Sequence, residues 1–251
     1  MILEVCVNSV YSAIEAQKGG ANRVELCENL HDGGTTPSAG SIRIARNHLH
    51  IDLFVMIRPR GGDFLYSCEE FEIMKEDIRV AKELGSNGVV FGILLPDGSI
   101  DMERMRTLTC LARPMQVTCH RAFDMTADPF KAMEDLIVSG VDRILTSGQQ
   151  PTALRGTALI QKLQKQSSGR IIIMPGSGVK EHNAVELIRA IGVQEVHIHL
   201  DKQEPSSMIF RQLGVFMGKP EQPEYEHTIT DREKIIKFRD TVEKHLSGET
   251  V

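Results

Sequence analysis

The sequence lacks an excess of positive charge, a long apolar run and a recognisable secretion signal. Its formal net charge is −5, so it offers no basic field for nucleic acid and no polybasic patch for a membrane surface. No apolar run approaches the roughly 18 residues that a membrane-spanning helix needs. A signal peptide begins with basic residues and has a longer apolar run than Ile2–Val5. We therefore expect a cytoplasmic protein without nucleic-acid or membrane partners.

Cysteine is scarce, and its distribution argues against a disulfide framework. The chain has five cysteines, Cys6, Cys27, Cys68, Cys110 and Cys119. Their number is odd, no CxxC pair occurs, and no secretion signal precedes them. We expect free thiols, and most free thiols act as small hydrophobic residues.

What the chain does have is the size and composition of one globular domain. It contains 251 residues, of which 41% are hydrophobic and 25% are charged. This length is close to the ~250 residues typical of a (β/α)₈ barrel. We predict a single TIM-barrel domain over residues 1–251.

Short β-branched segments alternate with longer helical patterns along the chain. The predicted strands are Ile2–Val7, Arg23–Leu26, Leu53–Ile57, Gly88–Phe91, Met115–Thr118, Arg143–Leu145, Arg170–Met174 and Glu195–Ile198. The predicted helices are Val10–Lys18, Ser41–His48, Glu69–Leu84, Met102–Leu111, Pro129–Val138, Thr152–Gln166, Glu181–Ala190 and Arg232–His245. Such alternation indicates βαβ units, and eight units close into an α/β barrel. A long segment, Asp201–Thr230, separates strand 8 from the last helix.

A pattern repeated before the even-numbered strands supports closure of the barrel. A glycine suited to a helix C-cap stands three residues before the first inward side chain of each such strand. Alternate strands of a barrel share layers of inward side chains. The predicted layers are Arg23, Gly88, Arg143 and Glu195, then Glu25, Val90, Leu145 and His197, then Cys27, Gly92, Ser147 and His199. This interior is unusually polar, and we expect ion pairs within it, Glu4 with Arg23 or Glu25 with Arg143.

Polar residues also gather where the strands end, which is where active sites of such barrels lie. Free N–H groups in a Gly-Ser-Gly turn before a helix suit an anion, and arginines add bidentate donors. The predicted anion-binding residues are Arg58, Arg60, Asp63, Thr146, Ser147, Gly148, Gly176, Ser177, Gly178 and His197. In an enzyme, the catalytic residues would be Glu25, His120, Arg121 and Asp124. We expect one cavity at this end to contain Glu4, Glu25, Arg58, His120, Arg121 and His197.

Two cysteines suggest a metal site at the same end of the barrel. Strand alternation turns Cys6 and Cys27 inward, and the two fall at the same height on adjacent strands, about 4.8 Å apart. Paired thiolates suit a soft ion, of which Cu(I) is the common choice. The alternative is two buried thiols that only fill the barrel end, and the spacing alone favours it.

The sequence closely resembles the CutC family, whose members are named copper homeostasis proteins. The matching segments are Glu4–Ser9, Gly19–Cys27, Gly33–Ser38, Ile57–Phe64, His120–Asp124 and Leu145–Gly148. The resemblance extends from about Leu3 to Arg211 and is greatest to metazoan members. It implies a barrel, a cytoplasmic setting, a homo-oligomer and a role in copper handling, with Cys6 and Cys27 as the copper thiols. It does not imply an enzymatic activity.

Two functions therefore remain open. The leading hypothesis is a cytosolic protein that binds Cu(I) through Cys6 and Cys27. The alternative is a TIM-barrel enzyme that acts on a small anionic substrate, such as a phosphorylated compound, through the rim residues given above. A polar interior with a purely structural role is a third interpretation.

Overall fold

Eight parallel strands form the barrel that the alternating pattern predicts. The computed structural model describes residues 1–212, 214–215, 217 and 223–246. The strands are β1 (Ile2–Val7), β2 (Arg23–Leu26), β3 (Asp52–Met56), β4 (Gly88–Phe91), β5 (Gln116–Cys119), β6 (Arg143–Thr146), β7 (Ile172–Pro175) and β8 (Glu195–Ile198). Backbone pairing runs from β7 through β1 to β8. Within the described residues no ladder joins β7 to β8, so the barrel is nearly closed. The predicted fold is confirmed.

Eight helices surround the strands in the described part of the chain. They are α1 (Val10–Lys18), α2 (Ala39–His48), α3 (Cys68–Glu83), α4 (Met102–Ala112), α5 (Pro129–Val138), α6 (Thr157–Ser167), α7 (Glu181–Ile191) and α8 (Arg232–Leu246). Ser38 and Ser67 cap α2 and α3, so both helices begin earlier than predicted. None of the described helices is long and apolar enough to cross a membrane.

Helix α6 begins at Thr157, five residues later than predicted. The preceding turn crosses the loop that follows β6, and Gly156 packs directly on the backbone of Ser147 and Gly148. A residue with a side chain could not make this approach, because its Cβ would overlap the carbonyl oxygen of Ser147. The crossing joins the loops after β6 and β7, since Ala153 N–H donates to the Ser177 carbonyl at 3.0 Å.

The apolar face of each strand packs outward under the helices. Val5, Val24 and Leu53 are register partners on β1, β2 and β3, and all three are fully buried. Val89 and Val117 are register partners on the same outer face of β4 and β5, and both are fully buried. Because successive side chains of a strand alternate, the residues between them face the barrel interior. This alternation turns the acidic, basic and thiol side chains inward.

An ion-pair cluster fills the amino-terminal half of the interior. Arg23 donates to both Glu4 and Glu195, and Arg143 also donates to Glu195. Both guanidinium groups stack on the ring of Phe54, at 4.7 Å and 5.4 Å from its centroid. The predicted pair of Glu4 with Arg23 is present. The predicted pair of Glu25 with Arg143 is wrong, because Arg143 belongs to the layer of Glu195, below Glu25.

The two ends of the segment between β8 and α8 pair with each other as a two-stranded hairpin. Strand β9 (Asp201–Pro205) pairs antiparallel with β10 (Glu226–Thr230). The side chain of Asn8 donates to the Thr228 carbonyl at 2.9 Å, which ties the hairpin to the end of β1. Parts of the segment between the two strands lie outside the described residues.

Candidate functional site at the carboxyl ends of the strands

Two adjoining cavities open where the barrel strands end. One has a volume of about 320 Å³ and is lined by Cys6, Glu25, Gly33, Met56, Arg58, Phe64, His120, Arg121, Asp124, Met125, Leu145 and His197. The other, of about 350 Å³, shares Cys6, Arg121, Leu145 and His197 with the first. A larger groove of about 1180 Å³ lies beside the β9–β10 hairpin. Among the described residues that line it there is no cysteine and no buried charged side chain, so the chemistry concentrates in the two smaller cavities.

Five of the six residues expected to share one cavity line the 320 Å³ space, the exception being Glu4. Glu4 lies beneath it, because β1 pairs Glu4 with His197 and Arg23 in the layer below the opening. Its carboxylate reaches the cavity wall through His197, whose Nδ1 lies 2.7 Å from Glu4 Oε1. Glu4 is therefore a support of the site and not part of its surface.

The two inward cysteines are neighbours at the edge of the cavities: Cys6 lines both of them, and Cys27 is buried behind it. Their sulfurs are 4.0 Å apart, and the residues are 8% and 0% exposed. The prediction that they stand at the same height is wrong, since the register pairs Cys6 with Glu25, and Cys27 follows Glu25 by two residues, just past the end of β2. Strands of a barrel are tilted against its axis, and this stagger brings the sulfurs together.

The two thiols and the nearby carboxyl group of Glu25 have strongly shifted pKa values, and the shifts differ in direction. A hydrogen bond from Cys27 is the main influence that holds the pKa of Cys6 well below its usual value, with His197 and His199 adding to it. The same hydrogen bond, then burial, raises the pKa of Cys27. Burial, followed by the charge of Cys6, raises the pKa of Glu25. The surroundings therefore favour ionisation of Cys6 over ionisation of Cys27 or Glu25.

His197 is held between carboxyl groups. Burial lowers its pKa, but hydrogen bonds to Cys6 and Glu4 and the charges of Glu25 and Glu4 outweigh burial and raise the pKa well above its usual value. Burial opposes ionisation of Glu4, yet His197 and Arg23 lower the pKa of Glu4 to about 2. Nδ1 of the ring lies 2.7 Å from Glu4 Oε1, and Nε2 lies 3.9 Å from Glu25 Oε2.

His120 has the opposite character. Burial, and then the charge of Arg58, lowers its pKa to about 3, so the ring is neutral. Nδ1 accepts a hydrogen bond from Ala122 N–H at 3.2 Å, which leaves the proton of the neutral ring on Nε2. Nε2 is buried and has no hydrogen-bond partner among the described residues. His120 can therefore donate a hydrogen bond to a ligand in the cavity.

Arg58 lines the cavity but its terminal nitrogens already have partners. They donate to the carbonyl oxygens of Asp32 at 2.7 Å, Gly34 at 2.9 Å and Gly62 at 2.7 Å. The side chain thus joins the loops that follow β2 and β3. This geometry argues against the predicted role of Arg58 as a free anion-binding arginine.

Arg60 and Asp63 lie away from both cavities. Arg60 is 2.6 Å from Glu70 and 3.1 Å from Asp63, at the start of α3. The side chain of Asp63 is 73% exposed. Their position after β3 correctly predicted the face of the barrel on which they lie. Their loop turns outward, however, so Arg60 and Asp63 do not reach the predicted anion site.

The loop after β6 is already occupied by a carboxylate of the chain. Asp124 accepts hydrogen bonds from Thr146 Oγ1 at 2.5 Å, Ser147 N–H at 2.9 Å and Gln149 N–H at 3.1 Å. Arg121 binds the same carboxylate at 2.8 Å. The donors predicted to hold a substrate anion, with Gly148 beside them, therefore hold Asp124. Asp124 organises this loop, which argues against its predicted catalytic role.

The Gly-Ser-Gly turn after β7 forms one wall of the second cavity. Ser177 and Gly178 line it, whereas Gly176 N–H pairs with the Thr146 carbonyl at 3.0 Å. Sequence reasoning did not single out Lys180, which lies on the same wall and donates to the His199 carbonyl at 2.8 Å. Lys180 stands immediately before α7 and close to the glycine turn, and this position in the sequence could have identified it as a site residue.

The remaining cysteines do not contribute to the site. Cys119 faces the outer core and its thiol donates to the His120 carbonyl at 3.6 Å. Cys68 and Cys110 are exposed on helices α3 and α4. Cys6 and Cys27 are thus the thiols to consider as metal ligands within the described residues.

Comparison with known proteins identifies the family of the chain. The model of the CutC family matches residues 1–202. A copper homeostasis protein cutC homolog from Homo sapiens is 47% identical over 235 residues, which are 93% of this chain and 86% of the human protein. A CutC family protein from Parabacteroides distasonis is 50% identical over 236 residues, 93% of this chain and 97% of that protein.

The comparison with solved structures also includes a member of this family. The crystal structure of the copper homeostasis protein CutC from Streptococcus agalactiae matches with a TM-score of 0.75 at 37% identity, over 78% of this chain and 97% of the other. A thiamine phosphate pyrophosphorylase from Pyrococcus furiosus matches with a TM-score of 0.59 at 16% identity, over 98% of this chain and 96% of the other, and shares the fold alone. Because the family model spans residues 1–202 and close relatives span nearly the whole chain, the protein belongs to the CutC family.

Proposed function

We propose that the protein binds Cu(I) through Cys6 and Cys27 at the mouth of the barrel and thereby takes part in copper handling. The observation that carries the proposal is the pair of buried sulfurs 4.0 Å apart. The names of the human and streptococcal relatives support copper as the ion.

The donor set fits a soft monovalent ion. Thiolate is the ligand form of cysteine, and the pKa of Cys6 lies well below its usual value. Apolar side chains of Phe54, Met56 and Val90 pack around the two thiols and shield them from water. A structural zinc site would use four ligands, usually Cys and His. Two paired thiols are soft ligands, which favour Cu(I) over a harder ion.

The test is an anaerobic Cu(I) titration of three proteins against a competing chelator. The wild type should bind one Cu(I) per chain, and the double variant Cys6→Ser, Cys27→Ser should lose this site. The matched control, Cys68→Ser with Cys110→Ser, removes the two exposed thiols and should bind like the wild type. Unchanged stoichiometry and affinity in the first double variant would rule out the assigned site.

The second candidate function is an acid–base enzyme that uses the same cavity for a small anion. It is supported by two buried polar atoms without partners among the described residues, Glu25 Oε1 and His120 Nε2, which belong to residues of one cavity. Arg121 lines both cavities and its side chain is 43% exposed, so it remains reachable by an anion. In this role Glu25 would exchange a proton and His120 would donate a hydrogen bond.

Anion binding has a simple thermal test. A ligand that binds only the folded state raises the melting temperature by mass action. Phosphate or sulfate should therefore raise the melting temperature of the wild type relative to chloride at equal ionic strength, and less so in Arg121→Met. An equal melting temperature in both salts at tens of millimolar would exclude this function for simple oxyanions.

The remaining expectations belong to the same proposal. We infer that residues 1–251 work as one domain in the cytosol, and that the protein acts as a homo-oligomer like the family it resembles. Sedimentation of the full chain at several concentrations measures the oligomeric state directly.

A further inference from the structure

We propose that Cys6, Cys27 and Glu25 also form a site for Zn(II), in which Glu25 is a ligand that the divalent ion requires and that Cu(I) does not. This inference rests on the proposed function, because it uses the same two thiols. It assigns Glu25 to a metal ion instead of to proton exchange with a substrate.

The three side chains offer their donor atoms at one place. One ligand atom from each of Cys6, Glu25 and Cys27 lies within 4.8 Å of the other two, and all three residues are buried. The sulfurs are 4.0 Å apart, and Cys27 Sγ lies 3.5 Å from Glu25 Oε2. Strand β1 pairs Cys6 with Glu25, and Cys27 follows Glu25 by two residues, so its side chain points to the same side. The register of β1 and β2 therefore brings the set together.

Of the buried glutamates in the described part of the chain, Glu25 is the one without an arginine partner. Glu4 binds Arg23, and Glu195 binds the same guanidinium group. Glu25 is 2% exposed, its Oε2 lies 3.9 Å from His197 Nε2, and its Oε1 has no hydrogen-bond partner among the described residues. A buried acceptor without a partner is unfavourable. A bound cation would supply the partner that Glu25 lacks.

The charge of the ion decides whether Glu25 binds it. Two thiolates already outnumber the single charge of Cu(I), so an ionised Glu25 would add an uncompensated charge in the protein interior, which is unfavourable. Zn(II) balances both thiolates and attracts the carboxylate as well. Thiolate sulfur and carboxylate oxygen are both zinc ligands, whereas a carboxylate is a poor match for Cu(I). We therefore expect Glu25 to distinguish the two ions.

The ligand set can be reached from the cavity of about 320 Å³. Cys6 and Glu25 line this cavity, and Cys27 is buried behind Cys6. A zinc ion with three protein ligands takes a water molecule or a substrate as its fourth ligand, which is the arrangement of catalytic rather than structural zinc sites. The ion can enter from the cavity, and a fourth ligand can reach it by the same route.

The experiment is a pair of anaerobic titrations of the full chain, one with Zn(II) and one with Cu(I), each against a competing chelator. The wild type should bind one Zn(II), and the double variant Cys6→Ser, Cys27→Ser should lose it. Glu25→Gln should bind Zn(II) more than about 100-fold more weakly, beyond the loss usual for residues that only support a ligand, and should bind Cu(I) like the wild type. The matched control is Glu28→Gln, since Glu28 accepts from Ser38 N–H at 3.0 Å outside the ligand set, and it should bind both ions like the wild type.

The outcomes separate this inference from the function on which it rests. A wild type that binds Cu(I) but no Zn(II), or a Glu25→Gln protein that binds Zn(II) like the wild type, contradicts the zinc site and leaves the copper site intact. An equal loss of both ions in Glu25→Gln contradicts the selective role of Glu25. A wild type that binds Zn(II) but no Cu(I) contradicts the proposed copper function alone.

Wild-type crystals soaked with Zn(II) decide the point even if Glu25→Gln fails to fold. Anomalous difference maps collected on either side of the zinc edge should show a peak within bonding distance of both sulfurs and of one carboxylate oxygen of Glu25. A peak bonded to the sulfurs but not to Glu25, or no peak at the sulfurs, overturns the inference.

Discussion

Replacing Glu195 with leucine is expected to lower the free energy of unfolding by about 3–5 kcal/mol or more, the usual cost of removing one partner of a buried ion pair. Glu195 accepts hydrogen bonds from both Arg23 and Arg143, whose guanidinium groups are almost inaccessible to water. Without this carboxylate, the side-chain hydrogen-bond partners of Arg143 among the described residues are Gln116 and Thr118. Urea denaturation at neutral pH measures the loss.

Glu134→Leu is the matched control for this variant. Glu134 pairs with Arg170 through two contacts of 2.7 Å, but both side chains are more than two-fifths exposed. Water and salt screen such a pair, so its removal should cost far less than removal of Glu195. Equal losses in the two variants would mean that the interior cluster contributes no more than a surface pair.

Gly156→Ala is expected to destabilise the protein by about 3 kcal/mol or more, at the upper end of the cost of overpacking. A Cβ at Gly156 would overlap the Ser147 carbonyl oxygen and lie 2.8 Å from the Cα of Gly148. These are backbone atoms, so no side-chain rotation can relieve the clash. The loop after β6 would have to move, and the hydrogen bonds of Asp124 to Ser147 would weaken with it.

Gly40→Ala provides the comparison for Gly156→Ala. Neither glycine has a positive φ, so neither substitution is penalised by the left-handed region. A Cβ at Gly40 would meet its nearest neighbour, Ser38 Oγ, at an ordinary 3.7 Å. Alanine in helix α2 should be neutral or stabilising by up to about 1 kcal/mol. Thermal and urea unfolding of both variants test the pair, and a Gly156→Ala protein as stable as the wild type would show that the crossing is not tight.

The fold could be predicted because strand and helix patterns are local and occur eight times. The repeated glycines located the even-numbered strands, and the alternation within β1 and β2 identified which side chains face inward. For this reason the members of the first interior layer were predicted correctly, and the side chains of Arg23, Arg143 and Glu195 form ion pairs there. The predicted first residues of the helices were less accurate. The caps Ser38 and Ser67 and the close contact of Gly156 set these positions, and the hydrophobic periodicity of the sequence carries no signal for them.

The site could be predicted only as a set of nearby residues. Strand ends indicated that Glu25, His120 and His197 face one cavity, which they line. The partners of each group were not predictable, because they come from loops whose paths the sequence pattern does not define. Arg58 donates to three carbonyl groups, and Asp124 accepts hydrogen bonds from the loop after β6. The predicted anion-binding residue Arg58 and the predicted catalytic residue Asp124 thus both bind groups of the protein itself.

The sequence analysis also did not predict the stagger of the strands. Alternation placed Cys6 and Cys27 on the inner face, but the height of one strand against the next depends on the shear of the whole barrel. The register sets Cys6 beside Glu25 and still brings the two sulfurs to 4.0 Å. The roles of these residues toward copper remain predictions that a loaded protein must test.

The most direct test of the central claim is the position of copper in crystals of the full chain loaded anaerobically with one equivalent of Cu(I). Anomalous difference maps collected on either side of the copper edge locate the ion independently of any substitution. The account predicts one strong peak between the sulfurs of Cys6 and Cys27, within bonding distance of both. A peak elsewhere, with none at these sulfurs in protein that carries copper, would contradict it.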